Sequence, residues 1–479
     1  MLFNSLNFLL FLPVVFIIYW SVNKKNLNIQ NFLLLGASYF FYACWDWRFL
    51  FLLLFSTALD YFTGIKMFEA QNQKSRKFWF WLGVSINLGF LGIFKYYNFF
   101  ADSFATALTT FGFHANPWSL QVILPVGISF YTFHGLSYVI DIYKHRIEPE
   151  RNIVDYSLFV SYFPLLVAGP IERATHLLPQ IKRRRVFNYD KAIDGIYQIL
   201  WGLFKKIVIA DTCAIYANEI FEKYESVNSL TLLMGGIYFA FQIYGDFSGY
   251  SDIALGTSKL LGIDLLRNFN YPYFSRDIAE FWRRWHISLS TWFRDYLYIP
   301  LGGSKGSSQL LKIRNTFIIF LVSGFWHGAN WTFIIWGFLN ALYFMPLLLK
   351  NKNRNHIGIV AKGKIFPNLK QIIQMAATFL LTVLAWIFFR SNTVGQALKY
   401  IKRLFSFNFK GEIQYLSIER YSIEIVLLLA IFLIIEWISR ENEHFFTGRL
   451  VNLKLIVIIM MLIVLGVYST AADFIYFQF

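Results

Sequence analysis

Residues 315–349 read NTFIIFLVSGFWHGANWTFIIWGFLNALYFMPLLL, a run of 35 residues without Asp, Glu, Lys or Arg. As one straight helix this run would reach about 52 Å, well beyond a hydrocarbon core of about 30 Å. We therefore predict that the helix is broken within residues 324–331, GFWHGANW, where two glycines weaken it. Asn330 is placed to cap the helix that follows the break.

His327 is the one side chain in this run that titrates near neutral pH, and it lies at the predicted break. Irregular backbone at membrane depth persists only where it is buried in protein or lines a wet cavity. Histidine is also the side chain best suited to proton transfer at neutral pH. The pattern indicates a functional residue, although a hydrogen bond to a neighbouring helix would also account for a lone intramembrane histidine.

The rest of the chain has the composition of a membrane protein. Of its 479 residues, 57% are hydrophobic and only 15% are charged, whereas soluble domains carry about 25% charged residues. We predict an all-α, polytopic protein of roughly 10–13 transmembrane helices, because a span needs about 20 apolar residues. The polar loops are too short for a soluble domain, so residues 1–479 are interpreted as one transmembrane domain with a core motif region at about 121–345.

Basic residues outnumber acidic ones by 44 to 28, which gives a net charge of +16. They concentrate between the apolar runs, in residues 66–77, 173–191, 350–370 and 399–410. The positive-inside rule expects this pattern of cytoplasmic loops, so nucleic acid is not expected as a partner. A second interpretation is that some of these cations attract the phosphates of an anionic donor. The sequence has two cysteines and no His/Cys cluster, and no metal site is expected.

A second irregular segment, residues 277–296, reads DIAEFWRRWHISLSTWFRDY. On a helical wheel Trp282 and Trp285 share an apolar face. Arg283 lies on a polar face, and His286 lies at the border between the two. The segment is too charged to span lipid, so we predict an amphipathic helix that lies in the membrane plane, re-enters the membrane or lines a polar cavity. An interfacial helix without a chemical role fits the same pattern.

Residues 242–252, QIYGDFSGYSD, end an otherwise apolar run with two carboxylates. We expect Asp246 to pair with a nearby arginine, and a role as catalytic acid is the less favoured alternative. The candidate arginines are Arg283, Arg284 and Arg294. Signatures of soluble enzymes, such as GxSxG, HExxH and the phosphate-binding P-loop, are missing from the sequence.

Five internal motifs follow one another along the chain. They are PVGISFY at residues 125–131, GPIE at 169–172, GDFSGYSD at 245–252, FWRRWHISLS at 281–290 and WHG at 326–328. In combination they make the sequence similar to the membrane-bound O-acyltransferase family over nearly its whole length. The final residues 474–479, FIYFQF, resemble the bacterial branch that contains alginate O-acetyltransferase and its peptidoglycan-acetylating relatives.

The resemblance implies a ring of tilted helices around a thinned centre, with re-entrant or in-plane helices, in the lipid of the bacterial cytoplasmic (inner) membrane. It implies that the family's near-invariant histidine is His327 and that a second, less strictly required histidine is His286. The donor substrate would be acetyl-CoA or another acyl thioester on the cytoplasmic side, with no bound cofactor. The acceptor would be an extracytoplasmic SGNH-type acetyltransferase or a cell-envelope polysaccharide such as alginate or peptidoglycan.

The resemblance also suggests a mechanism, in which His327 is the general base that activates the acceptor hydroxyl for attack on the thioester. The expected substrate-binding residues are Trp326, Asn330, Trp282, Arg283, Trp285 and Asp246. The tryptophans would wall the site and exclude water, and Arg283 or Asn330 would stabilise the developing oxyanion. An acyl intermediate on His327 stays open as a variant.

Three other functions remain open from the sequence. One is D-alanyl transfer to teichoic-acid-type polymers, which uses a carrier-protein thioester as donor. Another is transport of the acyl group, since transporters also have broken helices at the membrane midplane, but they usually show two related halves and this sequence does not. The third is a scaffold without its own chemistry, which would not need a histidine at the break.

Overall fold

The computed structural model describes residues 1–22, 26–113, 120, 125–167, 169–304, 306, 308–408, 424–468 and 474–475. Every regular element within these residues is helical, and several are apolar and long enough to cross a membrane. The predicted all-α, polytopic membrane fold is therefore confirmed. Residues 121–124 of the expected core region and residues 476–479 of the C-terminal motif lie outside the described residues.

The chain divides into two compact units, the first of residues 1–196 with 254–266 and the second of 197–253 with 267–479. The helices of the first unit are α1 (Leu6–Val22), α2 (Leu27–Ala43), α3 (Trp47–Glu69), α4 (Gln73–Leu91), α5 (Tyr97–Thr110), α6 (Ile128–Tyr143), α7 (Ile153–Ser161), α8 (Phe163–Leu166) and α9 (Ala174–Ile181). The helices with residues in both units are α10 (Tyr189–Leu203) and α12 (Ser229–Leu260). Those of the second unit are α11 (Asp211–Glu222), α13 (Ile278–Arg284), α14 (Ile287–Phe293), α15 (Gln309–His327), α16 (Trp331–Leu349), α17 (Leu369–Arg390), α18 (Val394–Leu404), α19 (Glu424–Ser439) and α20 (Val451–Leu465). Three π-helical turns (Gly92–Tyr96, Phe204–Ala210 and Arg294–Tyr298) and a 3-10 turn (Pro272–Phe274) complete the elements of the described residues.

Four helical stretches of the described residues are long and apolar enough to cross a membrane, by length and composition. They are Trp47–Glu69, Gln73–Thr110, Trp331–Leu349 and Leu369–Arg390. Shorter apolar helices are Leu6–Val22, Ile425–Ser439 and Val451–Leu465. The expected total of roughly 10–13 crossings, the ring around a thinned centre and the single transmembrane domain stay predictions.

Helices α15 and α16 form a hairpin whose backbones touch. A Cβ atom on Gly324 would lie 2.3 Å from the carbonyl oxygen of Phe333, and one on Gly337 would lie 2.3 Å from that of Phe320. Small residues permit such close approach between helices in a membrane. The two glycines therefore fix how tightly the hairpin closes, and with it the position of the break that joins its two helices.

In the first unit, the motif at residues 169–172 has a structural role centred on Glu172. This side chain is fully buried, and its carboxylate accepts the Leu266 N–H at 2.6 Å. The other carboxylate oxygen lies 2.7 Å from Nδ1 of His176, and the Glu172 N–H donates to Nε2 of His134 at 3.2 Å. Glu172 thereby ties α6 and α9 to the segment that follows α12.

Candidate active site

The predicted break between residues 324 and 331 is confirmed. Helix α15 ends at His327 and α16 begins at Trp331, with Asn330 as its N-cap. The Asn330 side-chain oxygen accepts the Thr332 N–H at 3.0 Å, and the amide nitrogen donates to the Asn392 carbonyl at 2.9 Å. Asn330 therefore both starts α16 and holds the break against the segment that follows α17.

His327 lies in an aromatic enclosure at this break, with only 4% of its surface exposed. The ring centroids of Trp336 and Phe389 lie 5.1 and 5.3 Å from the imidazole, both edge-on. The Trp326 ring lies 4.9 Å away on a third side. These large apolar rings keep bulk water from the imidazole, and a site without bulk water protects reactive groups from hydrolysis.

The structure contradicts the single amphipathic helix predicted across residues 277–296. Helix α13 ends at Arg284, α14 begins at Ile287, and His286 between them has a left-handed backbone with φ of 43°. A neighbouring loop holds this bend, because the Ile287 N–H donates to the Asn268 carbonyl at 2.9 Å. The Asn268 side-chain oxygen accepts the hydroxyl of Ser288 at 2.7 Å. Helical periodicity does not report such distant hydrogen bonds. For this reason the helical wheel treated residues 277–296 as one continuous helix.

The His286 imidazole is 1% exposed and packs edge-on against Phe247, with centroids 4.5 Å apart. Neither ring nitrogen has a hydrogen-bond partner among the described residues. Leaving a buried polar group unsatisfied costs about 1–3 kcal/mol. An unpaired buried imidazole at a bent backbone is therefore a strong candidate for contact with a substrate.

Trp326 lies between the two predicted histidines. Its ring centroid is 6.1 Å from that of His286 and 4.9 Å from that of His327. The structure thus brings together residues of two separate motifs, residues 281–290 and residues 326–328. The motif at 245–252 also lies at this site, because its Phe247 ring packs against His286.

The other two predicted tryptophans belong to an aromatic cluster that extends from this site. Trp282 lies 5.6 Å from Trp336, and Trp336 stacks on Trp386 at 5.6 Å. Trp285 is fully buried and lies 5.1 Å from Trp386. Trp336 and Trp386 were not predicted as site residues, because in sequence they are indistinguishable from other aromatic residues of apolar spans.

A cavity of about 490 Å³ lies against the same elements, and its lining includes Trp282, Leu289, Ser290, Phe293 and residues of α15 and α16. Both Lys312 and Ser323 of α15 line it. They are eleven positions apart, so the cavity extends roughly 16 Å along that helix. Ser323 precedes His327 by four positions, about one helical turn. One end of the cavity therefore lies close to the break.

The opposite end of the cavity is cationic. Lys312, near the start of α15, and Arg354, after α16, both line it. Its other polar lining residues are Ser290, Tyr298, Ser304, Thr316, Ser323, Asn351 and Asn353. No carboxylate lines the cavity among the described residues, so the electrostatic field there favours an anionic ligand.

Arg283 does not line this cavity. Its two outer guanidinium nitrogens donate to backbone carbonyls, one to Asn353 and one to His356, each at 2.8 Å. Both acceptors belong to the segment that follows α16. In the described structure Arg283 thus binds the chain itself, and its contact with substrate stays a prediction.

Asp246 pairs with a lysine and not with an arginine, so the predicted partner was wrong. Its carboxylate lies 2.8 Å from Nζ of Lys206 and also accepts the Ile475 N–H at 2.7 Å. Arg284 instead pairs with Glu280, and Arg294 pairs with the adjacent Asp295. Lys206 lies in the π-helical turn that follows α10, and sequence spacing does not reveal that this turn faces α12.

Comparison with known proteins shows the family of the chain. The model of the MBOAT, membrane-bound O-acyltransferase family, matches residues 149–388. The probable alginate O-acetylase AlgI of Pseudomonas aeruginosa is 42% identical over 410 residues, which cover 85% of this chain and 75% of that protein. The peptidoglycan O-acetyltransferase of Helicobacter pylori is 37% identical over 437 residues, covering 85% and 80%. The teichoic acid D-alanyltransferase of Streptococcus thermophilus is 30% identical over 261 residues, covering 49% and 61%.

The matched region contains most of the site described above, including both histidines. Helices α13 to α16, with His286 and His327 at their two breaks, all lie within residues 149–388. The cavity lining, from Trp282 to Arg354, lies within it as well. The chain belongs to the membrane-bound O-acyltransferase family and is a multi-pass membrane enzyme that transfers acyl groups.

Proposed function

We propose that this enzyme transfers an acetyl group from acetyl-CoA on the cytoplasmic side of the bacterial inner membrane to a hydroxyl group on its outer side. The observation that carries the proposal is the placement of His327. It lies one helical turn beyond Ser323, which lines one end of a cavity whose other end is cationic. A thioester bound there by its phosphates would have its reactive end directed toward the imidazole.

The cavity suits a nucleotide-borne thioester in size and in charge. Its volume of about 490 Å³ is in the range of about 300–1,000 Å³ that is usual for small-molecule sites. Lys312 and Arg354 offer two cations to the phosphates of coenzyme A, while Phe320 and Phe344 offer apolar surface to the chain that bears the thioester. The basic segment at 350–370 favours a cytoplasmic position for the cationic end of the cavity.

The proposed chemistry is a direct transfer. The acceptor hydroxyl oxygen attacks the thioester carbonyl while His327 takes the hydroxyl proton, a contribution worth about 10²–10⁴-fold in rate. The carbon–sulfur bond then breaks, the new ester leaves with the acceptor, and His327 returns the proton to the coenzyme A thiolate. An acyl group carried transiently on His327 is the variant of this scheme, and it gives the same products.

His286 and Asn330 have supporting roles in the proposal. The two ring nitrogens of His286, which lack protein partners among the described residues, are available to orient the acceptor hydroxyl. Asn330 is the better candidate for the oxyanion, since Arg283 already binds two backbone carbonyls. Asn330 uses one amide hydrogen on Asn392 and lies at the N-terminus of α16, where the helix dipole favours negative charge.

The names of the relatives support the choice of acceptor. Alginate and peptidoglycan, the polymers in the relatives' names, are both polysaccharides, so we propose a cell-envelope polysaccharide as the final acceptor. An extracytoplasmic SGNH-type acetyltransferase would receive the acetyl group first or act beside this enzyme. D-alanyl transfer is less well supported, because the teichoic acid D-alanyltransferase matches only 49% of this chain.

Labelled donor tests the proposal. Purified protein in detergent is given acetyl-CoA with a radioactive acetyl group and a polysaccharide acceptor, and transfer of label to the acceptor is measured. We expect transfer by the wild-type protein and by His145→Ala, which changes an exposed histidine of the first unit. We expect at most about one hundredth of the wild-type transfer from His327→Ala. Transfer by His327→Ala at the wild-type rate would refute the role of His327, and failure of the wild type to consume acetyl-CoA would refute the donor.

A further inference from the structure

We propose that Arg283 is a positioning residue for the donor site: it fixes the segment 351–358, here called the strap, so that Arg354 faces the phosphates of the donor. The inference rests on the proposed function, because it takes coenzyme A as the donor. It assigns Arg283 a role different from the substrate contact expected from sequence. The role is carried by hydrogen bonds to the backbone of the strap.

The two bonds of Arg283 bracket the residue that they position. One guanidinium nitrogen binds the carbonyl of Asn353, directly before Arg354, and the other binds the carbonyl of His356, two positions after it. Both distances are 2.8 Å, the length of a charge-assisted hydrogen bond. The planar guanidinium holds both carbonyls at fixed separation, so the backbone at Arg354 has little freedom.

The strap is also part of the cavity wall. Asn351, Asn353 and Arg354 line the cavity on the strap side. Trp282, the residue before Arg283 on α13, lines it from the other side and lies 5.6 Å from Trp336. Arg283 therefore connects α13, which carries Trp282 of the aromatic cluster, with the strap, which supplies Arg354 to the cationic end of the cavity.

Other arginines hold the far end of the strap, which makes the effect of Arg283 local. Arg276 and Arg284 both donate to the carbonyl of Gly358, at 2.7 and 3.1 Å. Both also bind Glu280, so their positions do not depend on Arg283. Loss of Arg283 would release the backbone around Arg354 while Gly358 stays bound.

The first test separates donor binding from chemistry by using two donors. Acetyl-CoA carries the phosphates that Arg354 is expected to bind, and S-acetylpantetheine carries the same thioester without them. We expect Arg283→Ala and Arg354→Ala each to raise the KM for acetyl-CoA about tenfold, the value of one charge-assisted hydrogen bond. We expect little change in kcat, and little change in either constant with S-acetylpantetheine.

Three further variants make the test specific. The double variant Arg283→Ala/Arg354→Ala should be no worse than either single variant, because both changes remove the same contact. Arg283→Lys should give an intermediate KM, since an ammonium group cannot hold both carbonyls in one plane. Arg294→Ala is the matched control, because Arg294 pairs with Asp295 and not with the strap. Equal losses by Arg283→Ala on both donors, or additive losses in the double variant, would overturn the proposal.

Limited proteolysis tests, without any donor, the tether that the two hydrogen bonds of Arg283 form with the strap. Lys352 and Arg354 are exposed trypsin sites on the strap. We expect trypsin to cut there faster in Arg283→Ala than in the wild type or in Arg294→Ala. Unchanged cutting would overturn the positioning role even if the enzyme uses acetyl-CoA. If the enzyme does not use acetyl-CoA, faster cutting would still establish the tether, so failure of the donor assignment is distinguishable from failure of the tether.

Discussion

Two helix breaks in the second unit each present a histidine, and they are built in different ways. The break between α15 and α16 has glycines on its inner side and an asparagine cap, and His327 ends the first helix with ordinary backbone geometry. At the break between α13 and α14, His286 itself adopts the left-handed conformation, and the distant Asn268 holds the bend. Local residues determine the first break, whereas the second depends on a tertiary contact.

The surroundings of the two imidazoles differ as well, and this difference separates their roles. His327 is enclosed by Trp326, Trp336 and Phe389 and lies one turn beyond the cavity. His286 has two ring nitrogens without protein partners among the described residues. We assign proton transfer to His327 and orientation of the acceptor to His286, and the predictions below test that division.

The largest expected difference is between variants of the two histidines. His327→Ala should lower acetyl transfer by about 10²–10⁴-fold, the usual value of general base catalysis. His286→Asn should lower it only about tenfold, the value of a hydrogen bond or two to substrate. Asparagine is chosen because it tolerates the left-handed backbone at position 286. Rates are measured with labelled acetyl-CoA, with the thermal unfolding midpoint as the control for folding. A larger loss in His286→Asn than in His327→Ala would reverse the assignment.

An intermediate effect is expected at the cap of the first break. Asn330→Ser keeps a side-chain oxygen that can cap α16 but removes the amide hydrogens proposed to bind the oxyanion. We expect the rate to fall about a hundredfold with a nearly unchanged unfolding midpoint. Asn330→Ala removes both functions and should also lower stability by about 1 kcal/mol. A wild-type rate in Asn330→Ser would limit Asn330 to capping.

The smallest expected effect is at the support of the second break. Asn268→Ala removes the acceptor for the Ser288 hydroxyl, which lies buried at 2.7 Å from it. We expect a loss of about 1 kcal/mol in the free energy of unfolding, the usual net value of one hydrogen bond. The rate should fall no further than in His286→Asn, since only the position of His286 is affected. Ser288→Ala is the control, because it removes the same hydrogen bond from the other side, and no loss of stability in either variant would contradict the prediction.

The two breaks also show how far sequence reasoning reaches in this protein. The charge-free run at 315–349 is too long for one crossing, and its glycines and Asn330 are local signals, so the break and its cap were predictable. The bend at His286 and the role of Asn268 were not, because helical periodicity does not report contacts between distant segments. For the same reason the partners of Asp246 and Arg283 were misjudged: a lysine of a π-helical turn and two backbone carbonyls leave no motif.

The resemblance of the motifs to a known family supplied the function, which the spacing of the residues did not reveal. It identified the acyltransferase family, which the comparisons confirm. It did not include Trp336, Trp386 or the cavity, because these depend on how α16 and α17 pack against α13 and α15. Lys312 lies outside the basic regions of the sequence and Arg354 lies in the one at 350–370, and only the fold brings them to one cavity.

A single-turnover experiment tests the central claim, that His327 acts in the chemical step at the inner end of the donor cavity. Wild-type and His327→Ala proteins are first titrated with acetyl-CoA to measure the Kd, and then mixed with labelled acetyl-CoA and acceptor in one turnover. We predict the same Kd for both proteins and transfer of label by the wild type alone. Transfer of label by His327→Ala at the wild-type rate, or a loss of donor binding that accounts for its inactivity, would contradict the claim.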